Sequence, residues 1–239
     1  MYNTIGKCHF MSSDSKKIAL VARDLISDLI PPLKTSDTGN MALAWMEEFK
    51  VSHLPIVNSV HFLGLVSESD ILDMNSPDEA IGAHSLSLYR PFVYDYQHIY
   101  DVLKVLSTQK LTLIPVLDDQ ERFLGNIHLT DLLEHFASMA SMDEPGGLLV
   151  LELNVHDYSL SEISRIVESN DAKVLSLFIS SPTDSTKLEV TIKINRTDLS
   201  AILQTFNRFN YSVKASFHQS DHQDEMNDRY ESFLKFLEL

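Results

Sequence analysis

The stretch FLGLVSESDIL at residues 62–72 returns as FLGNIHLTDLL at residues 123–133. Both copies carry a glycine at the third position and an aspartate six residues later. The second copy follows at a shift of 61 residues, whereas Pro55 upstream matches Pro115 at a shift of 60. The one-residue drift falls in a polar stretch that is typical of a hairpin turn, where changes of length are tolerated. The repeat therefore predicts two copies of one structural unit.

Each unit follows the same order of secondary structure. Apolar residues at helical spacing open the unit and predict a helix, and a short strand with a central proline follows, HLPIV or TLIPVL. After a turn, a second strand contains the glycine, and a helix then begins near Asp70 or Asp131. We assign the first unit to residues 20–78 and the second to residues 79–140, and we expect the two to face each other as a pair.

Composition and charge exclude several classes of protein. The chain has 239 residues, of which 44% are hydrophobic and 22% charged, so we expect a folded globular protein. Its formal net charge of -15 repels polyanions, so nucleic acid is not an expected partner. Cys8 is the only cysteine, which excludes an intrachain disulfide and suits a reducing compartment. With no long apolar run at the start, we expect a cytoplasmic protein without a membrane partner.

Signatures of catalysis and of metal binding are missing from the sequence. It contains no G-x-S-x-G elbow, no P-loop and no HExxH, so we expect no catalytic residue and no catalytic cofactor. His218 and His222, beside Asp221 and Asp224, would suit a divalent metal if that segment were helical. A solvated linker is the favoured interpretation there, and we predict no metal site.

The repeated unit resembles the tandem cystathionine-β-synthase (CBS) domain over residues 20–140. The shared pattern is an apolar-x-Pro-apolar-apolar strand followed by G-x-x-[ST]-x-x-D, which Gly64, Ser67 and Asp70 satisfy. The resemblance implies a pair of clefts that bind an adenosine nucleotide (AMP, ADP or ATP) or S-adenosylmethionine. It also implies a non-enzymatic regulatory or sensor protein. The alternative from the same residues is a structural interaction module whose clefts have no physiological ligand.

The second unit departs from this pattern at one position. Gly125 and Asp131 fit, but His128 stands where Ser or Thr is expected, and Thr130 follows two residues later. Because histidine is bulkier, we expect the second cleft to bind more weakly than the first.

The chemistry of a nucleoside site suits these residue types. A glycine lets a flat ring approach the strand backbone, strand amides left unpaired beside a proline can read the edge of a base, and a carboxylate can accept two hydrogen bonds from a ribose diol. The first candidate site comprises His53, Leu54, Pro55, Gly64, Ser67 and Asp70, and the second comprises Ile114, Pro115, Gly125, His128, Thr130 and Asp131. The alternative for the aspartates is helix N-capping, and for the glycines tight strand packing.

Four charged or titratable side chains are candidate partners of a phosphate. His53 and His128 would titrate near neutral pH in water, and Arg90 and Lys110 are the nearest cations in the sequence. For all four, a packing or surface role is the favoured interpretation.

The pattern changes after residues 141–147, a segment containing Pro-Gly-Gly that we interpret as a linker. Four strands and two helices then follow in the order βαββαβ, which predicts a ferredoxin-like domain at residues 148–217. This domain resembles the ACT domain, and the whole layout is similar to acetoin-utilisation-type CBS–ACT proteins. The predicted fold class is therefore α/β (α+β), a tandem CBS pair followed by an ACT-type domain.

Glycine is missing from residues 148–239, which argues against an amino-acid effector site in the ACT-like domain. We therefore expect an association domain and a homodimer, with an unidentified protein partner as a further possibility. The tail at residues 218–239 ends in an apolar stripe at helical spacing, which predicts a short amphipathic helix. The stripe consists of Tyr230, Phe233, Leu234 and Leu237.

Overall fold

The computed structural model describes residues 21–84, 88–181 and 186–217. Within the first unit, helix α1 (Gly39–Phe49) leads into the hairpin of strands β1 (His53–Asn58) and β2 (His61–Ser67), and helix α2 (Glu68–Leu72) follows. This is the predicted order of helix, strand, strand and helix. The two strands are antiparallel, with a bulge between Ile56 and Val57.

The second unit repeats the arrangement with one additional short strand. Its elements are β3 (Val93–Tyr94), α3 (Ile99–Gln109), β4 (Leu113–Leu117), β5 (Phe123–His128) and α4 (Leu129–Met139). Strand β3 runs parallel to β4 and pairs Val93 with Val116. Sixty residues earlier, Leu33 forms the matching parallel bridge with Ile56. The internal repeat is thus present in the pairing of the backbone as well as in the sequence.

The helices that open the two units end in the same way. Lys50 after α1 and Lys110 after α3 are both left-handed, with φ of 55° and 54°. Each backbone N–H donates back into its helix, to the carbonyl of Met46 or of Leu106. Lys110, one of the two candidate cations for a phosphate, therefore has a backbone role in ending α3.

Each unit contributes its opening segment to the other unit, and these exchanged segments are residues 21–30 and 88–89. The amide of Ala22 donates to the Gln97 carbonyl at 2.8 Å, and that of Ser27 to the Asn126 carbonyl at 2.9 Å, so residues 21–30 pair with the second unit. In return, the amide of Leu65 in the first unit donates to the Tyr89 carbonyl at 2.8 Å. Both exchanges connect residues far apart in sequence.

The C-terminal half is a four-stranded antiparallel sheet with two helices. Its elements are β6 (Gly147–Asn154), α5 (Leu160–Glu168), β7 (Val174–Ser180), β8 (Lys187–Ile194), α6 (Ser200–Arg208) and β9 (Ser212–Phe217). The strand order is β7-β8-β6-β9, with every pair antiparallel. This confirms the predicted βαββαβ ferredoxin-like arrangement and the α+β fold class.

Alternate residues of the two central strands form the core of this sheet. Leu149 and Leu151 of β6 and Ile192 of β8 are fully buried and belong to one cluster with Ile166 of α5 and Phe206 of α6. Period-two burial on the strands and helical spacing on α5 and α6 bring apolar groups to the same layer.

Three short 3-10 turns complete the described structure, at Ala22–Leu25, Ile81–Ala83 and Val155–Asp157. The chain divides into two compact units between residues 135 and 136. Among the described helices, none has the length and apolar character that a membrane crossing requires. The predicted tail helix and the histidines at 218 and 222 lie outside the described residues.

Candidate functional site

The residues of the first candidate site lie on both faces of the β1–β2 hairpin. His53 pairs with Ser67 and Pro55 pairs with Leu65, and residues in such cross-strand pairs share one face of the sheet. Leu54 and Gly64 lie on the opposite face, since side chains alternate along a strand. The hairpin therefore brings the side chains of His53, Pro55 and Ser67 together.

The second candidate site has the same division between the faces of the β4–β5 hairpin. Pro115 pairs with Asn126, and Leu113 pairs with His128, so these four side chains share one face. Ile114 and Gly125 belong to the opposite face.

At the end of the first hairpin, Asp70 closes a capping box. Ser67 is the N-cap of α2, and its hydroxyl accepts a hydrogen bond from the Asp70 amide at 3.1 Å. In return, Oδ2 of Asp70 accepts from the Ser67 amide at 2.8 Å and from the Ser67 hydroxyl at 2.6 Å. Asp70 is thus the third residue of the helix, and the N-cap itself is Ser67. Its carboxylate is exposed, and within the described part of the chain Oδ1 accepts no hydrogen bond.

The second hairpin ends differently because His128 occupies the position that matches Ser67. Asp131 lies in the first turn of α4, where it is half-buried, and the neighbouring Thr130 is exposed. Over the described ranges, the Asp131 carboxylate accepts no hydrogen bond. His128 therefore places an imidazole ring at the position where the first unit has the capping hydroxyl of Ser67.

Both histidines are half-buried and share one electrostatic environment. Burial lowers the pKa of His53 below its ordinary value, and the carboxylate of Asp70 opposes that shift. Burial likewise lowers the pKa of His128, and Asp131 opposes it. Nδ1 of His53 and Nε2 of His128 are buried without a hydrogen-bond partner in the part of the chain that the structure describes. Both rings are therefore predominantly neutral at pH 7 and each carries an unsatisfied nitrogen.

The two glycines lie against the exchanged segments. A Cβ on Gly64 would lie 2.6 Å from Cβ of Leu88, and a Cβ on Gly125 would lie 2.5 Å from Cγ2 of Ile26. Both distances are far below van der Waals contact, so neither position accepts a side chain without movement of the neighbour. Packing within the chain, which was the alternative to the approach of a ligand ring, is sufficient to require glycine at both positions.

The outer edge of β1 beside Pro55 is also used within the chain. The Pro55 carbonyl accepts a hydrogen bond from the Leu33 amide at 2.8 Å, and the Val57 amide donates to the Leu33 carbonyl at 2.8 Å. These two groups are therefore not available to read the edge of a base, contrary to the expectation of free strand groups at this proline.

Arg90 is held by neighbours in the same half of the chain. Its Nε donates to the Phe62 carbonyl at 3.1 Å, and its guanidinium forms an ion pair with Glu121 at 3.3 Å. The guanidinium also lies over the rings of Phe62 and Phe92. These contacts agree with the surface role favoured from the sequence.

Asn126 is a polar residue of the second hairpin that sequence reasoning missed. It is 2% exposed, shares a face with Pro115 and His128, and donates from Nδ2 to the Ile30 carbonyl at 3.1 Å. A signal was present in the sequence, because the repeat aligns this asparagine with the apolar Leu65 of the first unit.

A surface depression of about 640 Å³ lies in the C-terminal half, at the end of β6 and the start of β9. Glu152 there pairs with Lys187 at 2.5 Å, and the Tyr211 hydroxyl donates to Glu162 at 2.8 Å. Burial and the Glu162 carboxylate raise the pKa of Tyr211 far above its ordinary range. Because its principal charges are already paired with one another, the depression gives no reason to revise the expectation of an association domain.

Comparison with known proteins supports the repeat directly. Residues 23–76 and 90–138 match the family model described as "CBS domain". These two segments are CBS domains. Together with the matching strand pairing within each hairpin, this match confirms the CBS pair inferred from the repeated motif.

Solved structures similar to the chain cover about half of it. A CBS domain pair/ACT domain protein from Thermotoga maritima is 23% identical, with a TM-score of 0.45, and covers 50% of this chain and 98% of its own. CBSX2 in complex with AMP is 20% identical over 50% of this chain and 98% of its own, with a TM-score of 0.43. The CBS domain of a bacterial CNNM/CorC family Mg2+ transporter in complex with ATP is 18% identical, with a TM-score of 0.40, over 49% of this chain and 87% of its own.

Proposed function

We propose that this protein is a non-enzymatic regulatory sensor whose CBS pair binds an adenosyl ligand (AMP, ADP, ATP or S-adenosylmethionine). The observation that carries the proposal is the duplicated arrangement of one half-buried histidine and one first-turn aspartate at the end of each hairpin. A carboxylate at this point can accept hydrogen bonds from a ribose diol, while a ring nitrogen that lacks a partner can bond a phosphate or sugar oxygen.

The first site retains the capacity for this chemistry even though Asp70 closes a capping box. Only Oδ2 takes part in the box, and the carboxylate faces solvent. A ribose hydroxyl can therefore donate to Oδ1 while Ser67 keeps Oδ2. In the second site, the Asp131 carboxylate has both oxygens for a ligand. The affinity of the second site relative to the first thus depends on two opposed features. His128 is bulkier than Ser67, but the Asp131 carboxylate is not held in a capping box as that of Asp70 is.

A thermal-shift screen of the full chain with AMP, ADP, ATP and S-adenosylmethionine tests the proposal. A ligand that binds only the folded protein raises the Tm with concentration, by a stabilisation of about 2.7 kcal/mol at one hundred times Kd. Asp70→Ala and Asp131→Ala should each weaken binding by about 1.5–3 kcal/mol in calorimetry. The matched controls are Asp73→Ala, an exposed carboxylate just after α2, and Glu134→Ala, an exposed one within α4.

Unchanged affinity in both aspartate variants would reject the ribose assignment while leaving ligand binding in place. No shift with any of the four compounds would reject the sensor and favour the second candidate function.

That second candidate is a structural interaction module, and the packing at the glycines favours it. Because Leu88 and Ile26 already explain Gly64 and Gly125, the glycines do not by themselves require a ligand. In this case the CBS pair would serve to hold chains or partners together.

The proposed sensor transmits ligand occupancy through its ferredoxin-like domain to an oligomer or to a protein partner. We place it in the cytoplasm as a homodimer, without nucleic acid or membrane partners and without a catalytic cofactor. The single cysteine and the net charge of -15 support this part of the proposal.

A further inference from the structure

The side chain of Asn126 has one satisfied and one unsatisfied end. Nδ2 donates to the Ile30 carbonyl at 3.1 Å, whereas Oδ1 is buried without a partner in the described part of the chain. An amide oxygen buried without a donor costs about 1–3 kcal/mol, so such a group calls for an explanation.

The chemistry of its neighbour fixes which end is free. The Ile30 carbonyl can only accept a hydrogen bond, so the atom of Asn126 that faces it must be the NH2 group. The unsatisfied atom is therefore the oxygen, and its complement is a hydrogen-bond donor.

The first repeat shows that the fold does not need an amide at this position. Leu65 occupies the matching place, pairs with Pro55 as Asn126 pairs with Pro115, and is 3% exposed. In both repeats, the backbone at this position is hydrogen-bonded to an exchanged segment. The Leu65 amide donates to the Tyr89 carbonyl, and the Asn126 carbonyl accepts from the Ser27 amide. Since leucine satisfies the same packing, the asparagine adds a polar function to the second repeat alone.

The position of Asn126 relates it to the second candidate site. His128 lies two residues along the same face of β5, about 7 Å away, and its Nε2 is also buried and unpaired. Ile30, which contacts the side-chain amide of Asn126, is 4% exposed, whereas the preceding residue, Leu29, is 72% exposed. This segment therefore reaches the surface one residue before Ile30. Two buried and unsatisfied polar atoms thus lie on one strand face, next to a segment that reaches the surface at Leu29.

We infer that Asn126 is a specificity residue of the second CBS domain, whose Oδ1 accepts a hydrogen bond from the exocyclic amino group of a 6-aminopurine ring. The inference rests on the proposed binding of an adenosyl ligand and states which part of that ligand is read by a side chain. A 6-oxopurine presents an oxygen to Oδ1 in place of an amino group, leaving two acceptors facing each other. The second site therefore prefers AMP to IMP.

The test is calorimetric titration of the full chain with AMP and, separately, with IMP. The wild-type protein should bind AMP about ten-fold or more tightly than IMP at one site per chain. Asn126→Leu, which installs the residue found at the matching position of the first repeat, should bring that ratio close to one, chiefly by weakening AMP. The matched control is Leu65→Val, a conservative change at the equivalent place, which should preserve the AMP preference.

The outcomes separate the inference from the function on which it rests. If neither AMP nor any other adenosyl compound binds the wild type, the proposed function fails. If AMP binds but IMP binds equally well, or if a folded Asn126→Leu protein keeps the wild-type ratio, Asn126 does not read the amino group. Equal affinities of the wild-type protein for AMP and IMP would overturn the inference even if the variant does not fold.

Discussion

At the scale of single residues, each hairpin has one histidine in the equivalent cross-strand pair, but on opposite strands. The first hairpin pairs His53 with Ser67, and the second pairs Leu113 with His128. The histidine thus lies on the first strand in one repeat and on the second strand in the other, but in each case beside the aspartate of the following helix. Each hairpin therefore carries one half-buried imidazole at this pair, although the strand that supplies it differs between the repeats.

Burial of these rings predicts a loss of stability in acid. Because the pKa of each is lowered below 6.5 in the folded protein, the unfolded chain binds protons more readily there. The stabilisation is fully present above pH 6.5 and is lost as the pH falls through the lowered pKa values. Each histidine contributes up to about 1.4 kcal/mol per pH unit to this slope.

The free energy of unfolding, measured by urea denaturation between pH 7.5 and 5, checks this expectation. A double variant, His53→Leu with His128→Ser, takes its residues from the matching positions of the other repeat and should show a smaller acid-dependent loss. His61→Gln, at an exposed position in β2, is the control. An unchanged slope in the double variant would show that these two rings do not control the acid response.

At the scale of elements, the exchanged segments explain why the repeated glycine is required. Residues 21–30 cross the second hairpin, and Ile26 lies where a side chain of Gly125 would project. Gly125 also has φ of +150°, which L residues rarely adopt. The motif that identifies the repeat in the sequence therefore marks the place where each hairpin receives a distant piece of chain.

Gly125→Ala should lower the free energy of unfolding by about 1–3 kcal/mol, because the new methyl group meets Cγ2 of Ile26 at 2.5 Å. Ile26→Ala removes that methyl, so the double variant should lose less stability than the sum of the two single changes. Denaturant titration of all four proteins measures the coupling. Additive losses would mean that the clash with Ile26 is not what excludes a side chain at this position.

At the scale of the whole molecule, the ferredoxin-like half presents exposed apolar side chains on the two edge strands of its sheet. Strand β7 is an edge strand of the described sheet, and Phe178 and Ile179 on it are 40% and 49% exposed. Phe217 on the other edge strand, β9, is exposed as well. Apolar edge strands favour pairing with another chain, which agrees with the proposed association role. The apolar stripe from Tyr230 to Leu237, part of the same prediction, lies outside the described residues.

Light scattering should show the full chain as a dimer at micromolar concentration. Ile179→Lys places a charge on the β7 edge and should shift the mass toward a monomer by weakening the edge contact. The control is Val155→Lys, which changes an equally exposed valine in the turn after β6. A monomeric wild-type protein would reject the association role, and a dimer that survives Ile179→Lys would move the interface elsewhere.

Much of this structure could be predicted from local pattern. The repeated motif, the helix–hairpin–helix order and the βαββαβ succession all follow from short-range periodicity, turn residues and spacing, which depend on neighbours within a few positions. The candidate residues at the helix starts, Ser67, Asp70 and Asp131, could be found for the same reason. Capping is a local interaction, although the helix begins two residues earlier than Asp70.

Contacts between distant segments could not be predicted in this way. Periodicity places Leu54 and Gly64 on strands but does not tell which segment covers each face, so the exchange of residues 21–30 and the occupied edge beside Pro55 came only from the tertiary structure. Asn126 shows the same difference between what local pattern predicts and what long-range contacts add. By itself, the sequence determined that a polar residue stands where the other repeat has leucine, whereas the folded chain decided that Ile30 satisfies one end of its amide and leaves the other buried and unpaired. The reason is physical: secondary structure depends on nearby residues, but the partner of a buried polar group is chosen by packing across the whole unit.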